Sequence, residues 1–535
     1  MTSYAYIDVS RKQEFIYRHN RLSDNLKNSN IIRTVTEEIG IAAAPPESLS
    51  GFLEAYCKDK YEFIYSGGGN SIIKFKQGQP SAEQFAREYS TLILRLYPEL
   101  EVYISTIDEG EVITKQENDE MQIRQELIKR SDRLKDKRRA AFRRWTYGIE
   151  KLDETGKPLA QSPARKNFSH DMQAARDAVS NKLKLTESYI IDTNELQNYK
   201  QENGKSYIGI IAIDGNKMGE MVEKLKNFQQ LRDFSNMIEN IYIKAVRKAI
   251  QEIGEQKNKK TQANSTNNSS LLYTPIVLAG DDICLITEGE YAIKMAVRIV
   301  ENIRTISESD EYKERWSDLQ FEDVSLSACA GVVITRATYP FFEAVKEAEA
   351  ICAKAKETVH KVADKDTAAA SFIDWHIVEG QVMAEDFYED HVRHQRDNEY
   401  FHIKPLRIDQ KQAWVDGVFG FPAFERLVAR MKREENQKSF LEQVRKEMYS
   451  GWNSYKLLFE SNKTKIAHKV ADIVKEHLVD DCKNSTSEEN IEVKHAAIIE
   501  SNPAGPCSYT YVLHDVLETM GFLVTEEDEA SEATE

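Results

Sequence analysis

The stretch Tyr207-Ile208-Gly209-Ile210-Ile211-Ala212-Ile213-Asp214-Gly215-Asn216-Lys217-Met218-Gly219 is an apolar, β-rich run that ends abruptly in an aspartate. Helical patterns fill Glu220 to Ile253. Then Leu271-Leu272-Tyr273-Thr274-Pro275-Ile276-Val277-Leu278 leads through Ala279-Gly280-Asp281-Asp282 into Ile283-Cys284-Leu285-Ile286. Strand, two-residue turn and strand is the grammar of a β-hairpin.

The same grammar stands upstream. Tyr4-Ala5-Tyr6-Ile7-Asp8-Val9 is strand-like and carries an aspartate at its end, and a helix is expected from Arg11. Tyr61 to Tyr65, Ser66-Gly67-Gly68-Gly69-Asn70 and Ser71 to Phe75 form a second hairpin. Each copy continues alike. Ala82 to Leu96 and Tyr291 to Ile306 read as helices, Leu100 to Thr106 and Val324 to Thr335 as strands. The second copy adds a helix from Phe341 to His360, with Phe342, Val345, Ala348, Ile351 (or Cys352) and Ala355 as its apolar stripe. Two copies of one unit account for this economically, each a two-layer α+β arrangement with helices on one side of an antiparallel sheet.

Asp214, Asp281 and Asp282 carry the chemistry. A charged group at the end of a buried strand needs a partner or a metal. The hairpin would bring two further carboxylates beside Asp214, a crowding that divalent cations relieve. Hard oxygen ligands suit Mg²⁺ or Mn²⁺, which hold nucleotide phosphates. Two such ions would activate a hydroxyl, clamp an α-phosphate and stabilise departing pyrophosphate. Gly215 lets backbone approach a ligand, and Gly280 lets the turn aim both aspartates at one point. A lone G-D-D tripeptide is weak; flanked by strands and paired with a strand-ending I-D-G-N, it outweighs an ordinary acidic turn.

Other polar residues carry less. His514-Asp515 would need further His and Asp ligands from separate helices. His391 and His394 sit three apart with no carboxylate or cysteine pattern that completes a ligand set, and read as surface residues. No G-x-x-x-x-G-K-[ST] loop, G-x-S-x-G elbow or Cys–His pair points to a different chemistry.

These residues resemble the palm or cyclase domains of GGDEF-type nucleotide cyclases and, more closely, the large subunit of type III CRISPR effector complexes. That family carries two tandem palms, the second with a G-G-D-D signature, and makes cyclic oligoadenylates from ATP. The resemblance covers residues 3 to 110 and 205 to 378. It implies an α+β fold of two ferredoxin-like palms, a helical linker and an α-helical C-terminal domain, divided as 1–115, 116–204, 205–380 and 381–535. Tyr61 to Phe75 resembles the degenerate first palm, and Ile208 to Gly219 with Leu278 to Leu285 the active second. Asp214, Gly215, Asp281 and Asp282 would hold two Mg²⁺ (or Mn²⁺) ions. Gly215, Asn216, Lys217, Met218, Gly280 and Lys356 would meet the ATP triphosphate, Lys356 from the family's A-K helix (Ala353-Lys354-Ala355-Lys356) and on the side away from the metals. Gly67, Gly68, Gly69 and Asn70 would seat the acceptor nucleotide. Ser371-Phe372-Ile373-Asp374 resembles the closing strand. Guide RNA, other effector subunits or further copies of the chain are the implied partners. Three departures stand out: Ala279 replaces the first glycine of G-G-D-D, the palm strand begins at Ser3 where an HD nuclease would stand, and 116–204 lacks zinc-binding cysteines.

The expected product is a cyclic oligonucleotide messenger for antiviral defence. The alternative is a scaffold subunit with a weak or silent palm. A GTP-using diguanylate cyclase shares the fold but is disfavoured by G-D-D in place of G-G-[DE]-E-F.

Composition bounds the rest. At roughly 150 residues per domain, 535 residues make three or four domains. The charge is 72 − 88 = −16, with a pI near 5.4, which argues against a general nucleic-acid coat. Arg124 to Arg144 runs against that trend with ten Lys or Arg; free of Pro and Gly, it reads as a helix with a local phosphate-contacting or merely solvated face. Gln256 to Ser270 reads as a flexible polar loop and Thr525 to Glu535 as an acidic tail. Six cysteines are scattered singly. Mean hydropathy is −0.56; no spanning stretch or signal peptide is visible, so a cytoplasmic protein without membrane contact is expected.

Overall fold

The computed structural model describes residues 2–18, 22–40, 44–78, 80–111, 120–137, 182–185, 207–263, 271–322, 324–361, 370–378, 395–415, 418–433, 438–461, 465–479, 491–501 and 506–525. His391, His394, most of 116–204 and the acidic tail beyond Thr525 lie outside these residues.

The first unit runs β1 (Ser3–Ser10), α1 (Lys12–Ile16), α2 (Leu22–Thr36), α3 (Leu49–Cys57), β2 (Tyr61–Gly67), β3 (Asn70–Phe75), α4 (Ala82–Leu96) and β4 (Glu101–Asp108). Its sheet is antiparallel in the order β2-β3-β1-β4. Helix α4 starts where Ser81 and Gln84 cap each other's backbone amides, and Phe85, Tyr89 and Ile93, four apart, turn into the core. Next comes α5 (Glu120–Asp136).

The second unit repeats the plan: β5 (Tyr207–Gly215), α6 (Met218–Glu223), α7 (Phe228–Ala263), β6 (Tyr273–Ala279), β7 (Asp282–Glu288), α8 (Gly289–Ser307), α9 (Asp310–Asp318), β8 (Ala328–Arg336), α10 (Phe341–Lys361) and β9 (Phe372–Ile377). The order β6-β7-β5-β8 matches the first sheet, and β9 extends it parallel to β8. The copies agree in register. Asp8 faces Asn70 across β1 and β3; Asp214 faces Asp282 across β5 and β7. They agree at the strand exits too, where Arg11 (φ 52°) and Lys217 (φ 57°) both turn the chain left-handed into a short helix.

Three sequence expectations need correction. The sheets are covered on both faces, not one. Ile211 and Ile213 pack with α7 and α8, while Ile208, Ile210 and Ala212 pack toward α10, which is why the run lacks polar alternation. Helix α7 continues through Gln256 to Ala263, where a loop was expected; Lys257 is drawn inward by Glu288 at 2.6 Å. On α10 the buried aromatic is Phe341, while Phe342 is half-buried beneath the Lys346 ammonium, 3.9 Å from its ring.

The units pack reciprocally. Helix α7 of the second lies on β2 of the first, and α2 of the first lies on β6 of the second. Arg232 Nη1 donates to the Phe63 carbonyl at 3.0 Å, and Ser29 Oγ to the Ile276 carbonyl at 2.7 Å. The packing also brings the two hairpin turns near each other: Lys12, bonded to the first turn at Gly68, lies within electrostatic reach of Asp282 at the second.

The remaining chain is helical: α11 (Phe421–Lys432), α12 (Lys438–Ser450), α13 (Trp452–Ser461), α14 (Lys465–Val479) and α15 (Val512–Thr519). It also holds strands that the sequence reading did not place. β10 (Gln395–Arg396), β11 (Glu399–Tyr400), β15 (Ile491–Lys494), β16 (Ala497–Glu500) and β17 (Ser508–Thr510) share a sheet, β12 (Leu406–Arg407) joins β9, and β13 (Trp414–Val415) pairs with β14 (Val418–Phe419). This region packs on the edge of the second unit, with Trp375 and Phe424 ring centroids 5.4 Å apart.

Candidate active site between the two palms

Hairpin β6–β7 closes with a two-residue turn, Gly280-Asp281, between the paired residues Ala279 and Asp282. Gly280 has φ +64°, a conformation that suits glycine at the first turn position. Ala279 is absent from the left-handed region, so a methyl group there meets no backbone strain. Asp281 and Asp282 are therefore delivered beside Asp214. Gly215 makes the approach possible: a Cβ there would stand 2.6 Å from the Tyr242 hydroxyl and 2.9 Å from Asp281 Cβ.

The three carboxylates repel one another in a confined space. Asp282 is exposed to solvent, but its carboxyl lies in a crowded neighbourhood; that partial desolvation, then Asp214 and Asp281, push it up to about 7, with Lys12 pulling the other way. Burial and then Asp214 raise Asp281 as well. Glu349 on α10 is pushed up to about 8 by burial and Asp282. Tyr242 is fully buried beneath the cluster; its phenol is held well above its ordinary value by burial, Asp281 and Asp214.

Lys356 reaches this cluster from α10. Its ammonium donates to Asp214 Oδ2 and to the Gly215 carbonyl, both at 2.7 Å. The expected position, away from the metal side, is not the one found: the ammonium occupies a place that a cation bound by Asp214 and Gly215 would take. This donor set of carboxylates plus a carbonyl, already attracting a positive charge, fits a hard divalent ion. Asn216, expected at the triphosphate, turns inward; its amide nitrogen donates to Ser327 Oγ and the Ala370 carbonyl, each at 3.0 Å. It braces β8 and β9 behind the site. Lys217 and Met218 open the short α6 at the rim, Lys217 in its left-handed turn.

The first palm shows how the same backbone carries different charge. Gly68 and Gly69 have φ +61° and +74°, so both turn positions are left-handed, and Asn70 stands where Asp282 stands in the other copy. Lys12 Nζ donates to the Gly68 carbonyl at 2.6 Å and to Asn70 Oδ1 at 3.2 Å. Lys135 of α5 pairs with Asp8. Two lysine ammoniums thus lie against the groups that correspond to Asp214 and the acidic hairpin. Within the basic stretch, Arg130 is likewise committed, to Glu111 at 2.8 Å and the Thr106 carbonyl at 2.8 Å; residues 138–144 lie outside the described part.

Sequence reading missed Lys12, Lys135, Tyr242 and Glu349. Lys12 was within reach, because Arg11-Lys12 follows Asp8 as Lys217-Met218 follows Asp214. The other three are brought in by tertiary packing and left no local signal.

A ferredoxin-like sheet with its acidic hairpin beside a strand-ending aspartate defines a palm domain. Residues 207–367 match the family described as Cas10/Cmr2, second palm domain, which bears out the resemblance to type III large subunits. Among solved structures, the Csm1–Csm4 cassette in complex with cA4 is similar at 12% identity and TM-score 0.50, covering 97% of this chain and 69% of that one. The cassette in complex with cA3 is similar at 12% and TM-score 0.42, over 67% of this chain and 53% of that one. Csm1 in T. onnurineus is similar at 12% and TM-score 0.45, over 89% and 64%. The chain therefore spans between about half and two thirds of these chains' lengths, and the likeness is one of fold. No curated protein matches the sequence. Among the described residues, no helix is long and apolar enough to cross a membrane.

Proposed function

We propose that the chain is a metal-dependent nucleotidyltransferase that joins ATP into cyclic oligoadenylates within CRISPR-type antiviral defence, with the second palm catalytic and the first a partner that walls the cleft. The register that sets Asp282 opposite Asp214, with Asp281 on the intervening turn, carries this reading. Two divalent ions, held by Asp214, Asp281, Asp282 and the Gly215 carbonyl, would supply hydroxyl activation and charge neutralisation. The chain's own residues do the rest. Lys356 would be released from Asp214 when the metals arrive and would swing its ammonium onto the triphosphate. The left-handed turn at Lys217 would present backbone amides to phosphate oxygens. The Gly67–Asn70 turn would seat the acceptor nucleotide, its Lys12 facing Asp282. The Csm1–Csm4 cassette, which shares this fold, has been solved in complex with cA4, and that supports an oligoadenylate product.

The test is to incubate the purified chain with Mg²⁺ and each nucleoside triphosphate, and to measure product mass. Asp281→Ala with Asp282→Ala should abolish product. Because removing crowded carboxylates relieves repulsion, its metal-free stability should hold or rise. Wild-type product from that variant would overturn the assignment, and absence of any product from the wild type would favour the scaffold.

A further inference from the structure

His514 and Asp515 gain in the folded chain the partners that the sequence did not place beside them. His402, from the segment after β11, brings its Nδ1 to 2.6 Å from Asp515 Oδ1. Glu518 follows on the next turn of α15. One ligand atom from each of His402, His514, Asp515 and Glu518 lies within 4.8 Å of the others.

Two features separate this group from an ordinary buried polar network. First, its hydrogen bonding is incomplete in one direction only. Asp515 is fully used, its Oδ2 accepting the Ile403 amide at 2.7 Å, and His514 Nε2 meets the Tyr449 hydroxyl at 2.9 Å. Yet His514 Nδ1 and Glu518 Oε2 are buried without a hydrogen-bond partner. His514 Nδ1 is 3.8 Å from Asp515 Oδ1, too long for a hydrogen bond, while Glu518 Oε2 has only the shared Lys404 ammonium at 3.5 Å. A buried imidazole nitrogen left unbonded is costly. Second, the group is rich in negative charge. The Lys404 ammonium, 2% exposed, is shared among Glu518, Asp515 at 3.7 Å and Asp374 at 4.0 Å, while its hydrogen bond goes to the Trp375 carbonyl at 2.6 Å. One ammonium divided three ways leaves the cluster acidic.

We propose that His402, His514 and Glu518 form a binding site for a divalent transition ion of the zinc type. Asp515 holds the His402 ring through Nδ1, which leaves Nε2 as that ring's ligand atom, an arrangement common around protein-bound zinc. Paired imidazoles with carboxylate favour such an ion over Mg²⁺, so the site differs in kind from the all-oxygen palm. At metal–ligand distances of about 2.0–2.1 Å, tetrahedral ligands stand about 3.4 Å apart; the group closes on the ion by up to about an ångström. The consequence is mechanical. Trp375 Nε1 on β9 donates to Thr519 Oγ1 at 3.1 Å, so an ion here would lock α15 and the 401–405 segment onto the edge of the second palm.

The experiment uses the full, tag-free chain carrying Asp281→Ala and Asp282→Ala, so that the palm does not compete. After chelator treatment, Co²⁺ titration should saturate at about one ion per chain, develop the strong visible absorption of low-coordinate cobalt with nitrogen ligands, and reverse on adding Zn²⁺. His514→Gln or Glu518→Gln in the same background should weaken binding about tenfold or more. Absence of stoichiometric binding, an absorption typical of all-oxygen octahedral cobalt, or unchanged affinity in folded His514→Gln would each overturn the proposal. The cobalt spectrum of the parent chain decides between these outcomes even if both variants misfold.

Discussion

Lys356 bridges Asp214 and the Gly215 carbonyl, which under the proposed function would make it a competitor for the metal first and a ligand for the nucleotide afterwards. Lys356→Ala should therefore move two measurements in opposite directions. The Mg²⁺ concentration for half-maximal activity at saturating ATP should fall. The apparent KM for ATP should rise about fivefold or more, a loss of about 1 kcal/mol or more for a charge-assisted hydrogen bond. A shift in only the first would leave Lys356 as a counter-ion alone. Asp282 would make the proposed metal site pH-dependent as well. Its carboxyl is raised from 3.8 to about 7, so between those values the folded chain keeps a proton that the unfolded chain has lost. Rising pH through that window removes stability from the metal-free fold and at the same time frees the carboxylate for a cation. Thermal melting in chelator should drop toward pH 7 and flatten in Asp282→Asn, while Mg²⁺ affinity should climb up to about pH 7 and then level. Calorimetric Mg²⁺ titrations across that range would show it.

At the scale of an element, the two hairpins are the same device with different turns. In β6–β7 only Gly280 is left-handed, so a carboxylate can follow it. In β2–β3 both Gly68 and Gly69 are left-handed, and a Cβ on Gly69 would stand 2.9 Å from Lys12 Cε. Gly69→Asp should then destabilise the chain by about 1–2 kcal/mol, the cost of a non-glycine left-handed residue, without adding nucleotide product; denaturant unfolding and product mass read the two effects. Asp8→Asn should lower the synthetic rate far less than Asp214→Asn, because Asp8 is already paired with Lys135 and faces an amide across the ladder. Equal loss in both, with the fold intact, would make the first palm catalytic.

For the molecule as a whole, the repeat was legible because it is written locally. Each strand-ending aspartate, glycine turn and alternation of strand with helix is a short-range signal, and the register Asp214–Asp282 follows once strand and turn are identified. The covering of both sheet faces was written there too, in the unbroken apolar run Ile208 to Ile213, but an antiparallel sheet led to the expectation of one covered face. What stayed hidden depends on distance along the chain. Lys135 reaches Asp8, Tyr242 lies under Asp281, and His402 meets Asp515 only after separate elements have packed. Helix α7 outran its expected end because Lys257 has a buried partner, Glu288, that no local pattern announces.

The exchange of helices between the palms, α7 on β2 and α2 on β6, is the geometry of an isologous pair in which each member offers the other the same patch. Two such copies within one chain behave as a dimer that dilution cannot separate, since the tether keeps the partners at high effective concentration. A symmetric ancestor would have had two equivalent acidic hairpins bordering one cleft. Once joined, and if the second palm alone is catalytic as proposed, only one would need to keep its charges, while the other would still be required for its outline. Drift in the first copy is then free to exchange carboxylates for lysines and glycines as long as the surface facing α7 and β6 keeps its shape. The asymmetry between Asp282 and Asn70, at equivalent positions of the two ladders, is what such freedom would leave behind.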